Sequence, residues 1–184
     1  MQKAQPGMTV APIEIQPEIL REKTWFTLQV RYRFEKKAAA QLSGKGMEVF
    51  LPVRKEKRAW SDRTKVITVP LFPGYIFVCS SQSVALRLLV LQTVGVMGFV
   101  SFGRTAAVMP TKQIDDLRLL LAQEVPISLY PFVKVGQRVR IRGGCLHGVE
   151  GLLTEREKGK LVISIESIQR SLAIEIQNYE VEPI

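Results

Sequence analysis

Cys145 and His147, one residue apart, are the pair whose types and spacing most invite metal or nucleophile chemistry. A thiolate and an imidazole can share a zinc ion, or one can activate the other. Two ligands in one glycine-rich turn do not complete a tetrahedral site, and the other cysteine, Cys79, is remote in sequence. The chain has a single His, which removes most imidazole-based acid–base schemes. Asp115 and Asp116 are adjacent, but they fall near the start of a helix-forming run, where acids suit the helix dipole. Neither a G-x-S-x-G elbow, a phosphate loop nor a G-x-G-x-x-G turn is present. These observations exclude the common hydrolase and transferase designs. No enzyme activity, no metal and no cofactor is expected.

Charge offers a second kind of chemistry. The 184 residues carry a net charge of +9, which suits a polyanionic partner. The excess is local. Residues 1–23 are balanced, while residues 24–70 hold eleven basic against four acidic residues, or +7. Residues 71–132 and 133–184 contribute only +1 each. A solubilising charge is spread evenly, whereas a clustered one marks a docking surface. The candidates for it are Arg31, Arg33, Lys36, Lys37, Arg54, Lys55, Lys57 and Arg58. The alternative reading of 54–65 is a solvated loop.

Composition sets the frame for these groups. At 46% hydrophobic and 23% charged, the chain is expected to fold. The N-terminus carries no secretory signal pattern. The longest uncharged apolar stretch, Leu88 to Gly103, is shorter than the roughly 20 residues of a membrane helix. Two cysteines make no disulfide scaffold, so a cytoplasmic, reduced protein with no membrane role is expected.

The elements that position the basic groups follow from local pattern. Residues 1–23, with three prolines, read as a flexible tail. TWFTLQV at 24–30 is a strand. Arg33 to Leu42 is a helix with Phe34, Ala38 and Leu42 on one face, stopped by Gly44. Met47 to Val53 is a strand, and Arg54 to Arg63 reads as an exposed loop or hairpin tip. KVITVPL and YIFVC are strands broken at Phe72-Pro73-Gly74. SVALRLLVL is a helix with Ser83 as N-cap, 94–102 a short strand, and TKQIDDLRLLL a helix capped by Thr111. The order β-α-β-β-α-β-α implies an α+β sandwich. Pro126 and Pro131 bracket a linker, 122–132. Residues 133–184 read as five short strands of a small barrel. Gly143, Gly144, Gly148 and Gly151 fit its tight turns and a bulge needing positive φ.

Four segments in order carry a specific resemblance: Trp25-Phe26 opening a strand, LFPGYIFV at 71–78, GVMGFVSFG at 95–103 and VGQRVRIRGGCLHGVEG at 135–151. Together they closely resemble the NusG family of transcription elongation factors, over residues 24–184. The 54–78 segment and SIQRSLAIEI are similar to specialised, operon-specific paralogues typified by RfaH. The resemblance implies an NGN domain at 24–121 and an SH3-like KOW barrel at 133–184. It implies an elongation factor that binds RNA polymerase at its clamp helices and promotes processivity and antitermination. The family's docking surface maps onto Phe72, Pro73 and Tyr75, with Trp25 and Phe26 as supporting core. Gln29 stands where RfaH-like proteins carry an aromatic.

Further implications are DNA of the elongation complex beside the basic residues, a monomer, and Rho or a small-subunit ribosomal protein as the KOW partner. Residues 161–176 satisfy both strand and helix periods, and RfaH-type domains switch between barrel and helical hairpin, so a fold switch is one expectation and a permanent barrel the other. The competing function is an RNA- or ribosome-binding KOW module acting in translation. The low charge of 133–184 counts against it.

Overall fold

The computed structural model describes residues 24–59, 64–81, 83–103, 105–154 and 159–184. The expected tail at 1–23 lies outside the described residues.

Among the described residues, three helices and the first strands form the N-terminal part. These are β1 (Thr24–Val30), α1 (Glu35–Gly44), β2 (Glu48–Phe50), β3 (Val53–Ala59), β4 (Thr64–Pro70), β5 (Tyr75–Ser80), α2 (Val84–Leu91), β6 (Val96–Phe99), β7 (Ser101–Phe102), β8 (Thr105–Ala106), β9 (Val108–Met109) and α3 (Thr111–Ala122). The main sheet has the order β2-β5-β1-β6, with β9 also on β1, and its pairs are antiparallel. The period of two in β1 sends its side chains to two different cores. Phe26, Leu28 and Val30 pack with Ile76 and Val78 of β5, Ala38 and Leu42 of α1, and Val90 of α2. Trp25 packs on the other side with Phe77 and Cys79 of β5 and with Ile114 and Leu117 of α3.

Helix α1 begins two residues later than expected. Arg33 adopts φ 68°, in the left-handed region, so the helical run cannot start before it. At the other end Gly44 is the last helical residue, and Gly46 (φ 80°) makes the left-handed break.

The segment at 54–63 is not a loop throughout. β3 pairs with β4 over seven positions, from Val53↔Pro70 to Ala59↔Thr64, as a separate two-stranded hairpin. VRKEKRA has no apolar alternation because this strand is held by its ladder rather than by a core face. The expected strand at 94–102 is divided into β6 and β7. The observed element order therefore contains more strands than β-α-β-β-α-β-α.

The C-terminal part holds β10 (Ile127–Tyr130), β11 (Gln137–Arg142), β12 (Glu150–Leu153), β13 (Lys160–Ile165), a 3-10 turn at Glu166–Ile168, β14 (Arg170–Glu175) and β15 (Glu180–Pro183). They form a six-stranded sheet, β10-β14-β13-β12-β11-β15, rather than the five strands expected. The extra strand is β10, whose residues fall inside the 122–132 segment and pair with β14 from Ile127↔Ile174 to Tyr130↔Ser171. Residues 161–176 are strands here: β13 and β14 pair over six positions around the 3-10 turn. Val139, Ile141, Leu146, Val149, Leu161, Ile163 and Ile174 form the core of this sheet, together with Leu120 of α3.

Candidate functional site

The two parts share one buried cluster, and one of the expected docking residues, Phe72, sits in it. Phe72 is 2% exposed and belongs to the cluster of Trp25, Leu71, Phe77, Met109, Ile114 and Leu117. Ile165, Ile168 and Leu172 of the C-terminal sheet complete the same cluster. Phe72 meets Phe77 edge to face, with ring centroids 6.4 Å apart. Tyr75 is half-buried against this cluster, and Pro73 is exposed. The resemblance implied a docking surface at Phe72, Pro73 and Tyr75. In this structure α3 and the C-terminal sheet close over its Phe72 side. Trp25 and Phe26 are core, at 4% and 5% exposure. Gln29 is exposed and lies opposite Tyr75 in the β1–β5 register.

Polar contacts fasten the same interface. The Thr27 hydroxyl donates to the Ser167 hydroxyl at 2.8 Å, and Gln113 Nε2 donates to the Ser164 carbonyl at 2.7 Å. Lys112 Nζ donates to the Gly148 carbonyl at 2.6 Å and pairs with Asp116. Asp116 Oδ2 in turn accepts the Glu150 N–H at 3.4 Å. Burial pushes the Asp116 carboxyl above its usual range, against the pull of the Lys112 ammonium. The adjacent Glu150 is held below its usual range, chiefly by the Arg140 guanidinium bonded to it. Helix-dipole placement therefore does not account for Asp116, whose carboxylate is spent across the interface. The signal for it was present as the i, i+4 spacing of Lys112 and Asp116. A cavity of about 520 Å³ lies along this seam between α3 and the C-terminal sheet.

The basic residues fall into two groups on the N-terminal part. Arg31, Arg33, Lys36 and Lys37 occupy the β1–α1 turn and the first turn of α1, all exposed. The Arg31 guanidinium and the Lys37 ammonium lie 5.6 Å and 5.8 Å from the Phe34 ring centroid. Arg54, Lys55 and Lys57 are carried on β3, where alternation separates Arg54 from Lys55 and Lys57. Lys55 pairs with Glu124 and Arg54 approaches Glu56. The side chain of Arg58 lies outside the described residues. Lys36 Nζ joins the groups by donating to the Thr68 carbonyl of β4 at 2.9 Å.

The opening pair of residues has structural work. His147 Nδ1 accepts the Gly143 N–H at 3.0 Å, and the Cys145 thiol lies 3.2 Å from the Tyr179 hydroxyl. Among the described residues no group of three or more His, Cys, Asp or Glu is placed to hold a metal. Gly143, Gly144 and Gly148 take φ of 70°, 68° and 88° in this turn. Gly151 is needed for a different reason than the one expected. Its φ is not positive, but a Cβ there would lie 2.8 Å from both Leu161 Cγ and the Val162 carbonyl oxygen of β13.

No helix among the described residues is long and apolar enough to cross a membrane. The family model described as "Transcription termination factor nusG" matches residues 23–118. The chain is 26% identical over 174 residues to a transcription termination/antitermination protein NusG of Lactococcus lactis, covering 89% of this chain and 94% of that protein. It is 22% identical over 183 residues to the protein of the same name from Borreliella burgdorferi, covering 88% and 99%. Its fold is similar to the structure titled "Domain interaction in Thermotoga maritima NusG", with a TM-score of 0.51 at 21% identity, covering 89% and 98%. The family model spans more than half of the chain, and these relatives span most of it: the protein belongs to the NusG family of transcription termination/antitermination factors.

Proposed function

We propose that this chain is an elongation factor that docks on RNA polymerase through the Phe72–Pro73–Tyr75 face and promotes processivity and antitermination on particular operons. On this reading residues 24–121 are an NGN domain, 122–132 connect it, and 133–184 are a KOW barrel. The observation that carries the proposal is the aromatic face itself. Trp25, Phe72, Tyr75 and Phe77 lie on one side of a sheet whose other side is already filled by α1 and α2. A sheet face this apolar requires cover, and here the cover is α3 together with the C-terminal sheet.

Two states follow. In the closed state Ile165, Ile168 and Leu172 mask the docking face. In the open state the polymerase replaces them. Each large apolar side chain fully uncovered costs about 1.5–3 kcal/mol, so opening is driven by the partner that covers the face again. The exposed cations of the β1–α1 turn and β3 then lie toward the DNA of the elongation complex, adding affinity without base identity. Bridging polymerase and nucleic acid disfavours the paused conformation by differential binding, with no covalent step. The freed KOW barrel is then open to a second partner, such as Rho or a small-subunit ribosomal protein.

The test is retention on core RNA polymerase together with terminator readthrough in a single-round transcription assay. Tyr75→Ala is expected to abolish both while leaving the circular dichroism spectrum unchanged. Undiminished retention of the variant contradicts the assignment. Binding to naked ribosomal RNA that needs only residues 133–184 would support the translation reading instead.

A further inference from the structure

A second cleft, of about 210 Å³, opens on the α2 side of the N-terminal sheet. Its base is buried. Phe26 of β1 is 5% exposed, and Ser80 at the end of β5 is 7% exposed. The Phe26 and Phe99 rings meet there edge to face, with centroids 5.8 Å apart. Ala106 of β8 and Val108 of β9 add an apolar wall. The backbone fixes this wall in place. Between the two residues, the Ala107 N–H donates to the Val100 carbonyl at 2.7 Å, and the Ala107 carbonyl accepts the Thr27 N–H at 3.4 Å.

The polar groups around this apolar base are donors with nothing to bond. The Arg87 guanidinium carbon lies 5.4 Å from the Phe99 ring centroid. Among the described residues, Arg87 enters no ion pair. The Ser81 and Thr105 hydroxyls line the same cleft and make no hydrogen bond among the described residues. Ser80 differs, since its hydroxyl donates to the Ser81 carbonyl at 3.0 Å. None of the described residues that line the cleft is acidic. A guanidinium presents a fork of N–H donors that matches a carboxylate, and the two rings beneath it offer surface to a flat apolar body. The volume is below the roughly 300 Å³ of sites for drug-sized molecules, so the ligand is about one ring and one carboxylate in size. Phosphate matches the donors but leaves the rings wet.

We propose that this cleft binds a small aromatic carboxylate, with the carboxylate on Arg87 and the ring against Phe26 and Phe99. The site does not rest on the docking reading. Phe26 belongs to the cluster on one side of the sheet, with Phe99 packed against it, and Phe72 belongs to the cluster on the other.

The test is a titration of the full chain with benzoate, benzamide, acetate and inorganic phosphate, followed by backbone amide NMR shifts. Benzoate is expected to shift the amides of Ser80, Ser81, Arg87, Phe99 and Thr105 saturably, with a Kd below about 10 mM, an affinity within reach of so small a ligand. Benzamide keeps the ring and loses the charge, while acetate keeps the charge and loses the ring. Each is expected to bind about tenfold more weakly than benzoate. Arg87→Met keeps an apolar stem over Phe99 and removes the fork, so benzoate should fall to the affinity of benzamide. Arg87 is exposed, and the amide spectrum away from the cleft should stay that of wild type. Benzamide or acetate binding as tightly as benzoate overturns the site, as does an Arg87→Met variant that keeps wild-type benzoate affinity. Phosphate binding as tightly as benzoate overturns it too, since the rings then contribute nothing. A benzoate titration with no saturable shift at these amides also overturns it. None of these results bears on polymerase docking at Phe72 and Tyr75.

Discussion

The hydroxyl of Thr27 on the central strand β1 donates to the hydroxyl of Ser167 in the C-terminal 3-10 turn, across 140 residues of sequence and 2.8 Å of space. Both residues are buried, at 0% and 6% exposure. A buried hydroxyl deprived of its partner costs about 1–3 kcal/mol. Thr27→Val keeps the shape of β1 and leaves Ser167 without that bond. The variant is expected to shift the chain toward the open state. Hydrogen exchange at 165–168 should accelerate while exchange within the β1–β5 ladder stays slow, and polymerase retention should rise.

A pH dependence follows from Asp116. Its carboxyl is raised above the ordinary value of 3.8 by burial. The folded protein therefore binds this proton more tightly than the unfolded chain does. The Asp116 contribution to stability is greatest at low pH and falls as pH rises from about 3.8 through the displaced value. Glu150, displaced downward, works in the opposite sense and loses its contribution as pH falls. Asp116→Asn keeps an acceptor for the Glu150 N–H and removes the first effect. Urea midpoints measured across the mildly acidic range should show stability that falls more steeply on acidification in the variant than in wild type.

Two glycines of the C-terminal sheet separate steric from conformational need. A Cβ at Gly151 meets Leu161 and Val162 at 2.8 Å, so Gly151→Ala is expected to cost about 1–3 kcal/mol through overpacking. At Gly143 nothing lies within 4 Å of a Cβ, and only φ 70° opposes it, so Gly143→Ala should cost about 1–2 kcal/mol. In a double-mutant cycle Leu161→Ala, itself costly because Leu161 is buried, should couple favourably with Gly151→Ala, so that the pair costs less than the sum of the two single changes. It should not couple with Gly143→Ala.

Much of this arrangement was legible along the chain. TWFTLQV read as a strand because its residues are β-branched and aromatic, and Ala38 and Leu42 fell on the buried face of α1 as their spacing of four required. The family segments led to a family that the comparisons bear out. Strand β3 was read as an exposed loop or hairpin tip because a strand held by its ladder, outside any core, carries no hydrophobic period, whereas its partner β4 was read as a strand. β10 was missed for want of length, since ISLY between two prolines resembles a connection until β14 pairs with it. The burial of Phe72 was invisible for a different reason. It depends on one part of the fold closing over another, and a segment's own pattern does not encode which face meets which. The same holds for Glu35, whose inward turn is set by the Gly74 N–H on a distant loop.

The central claim is that the polymerase-docking face is the one the C-terminal sheet covers. Ile168 supplies part of that cover from a 3-10 turn at its edge. The most direct measurement is the affinity of core RNA polymerase for three full-length chains: wild type, Ile168→Asp, and Ile168→Asp/Tyr75→Ala. Placing a carboxylate in the buried seam should open it, so Ile168→Asp should bind at least tenfold more tightly than wild type, and the added Tyr75→Ala should abolish that gain. Ile168→Asp binding no better than wild type while its hydrogen exchange shows the seam open, or a double variant that keeps the gain, would contradict the account.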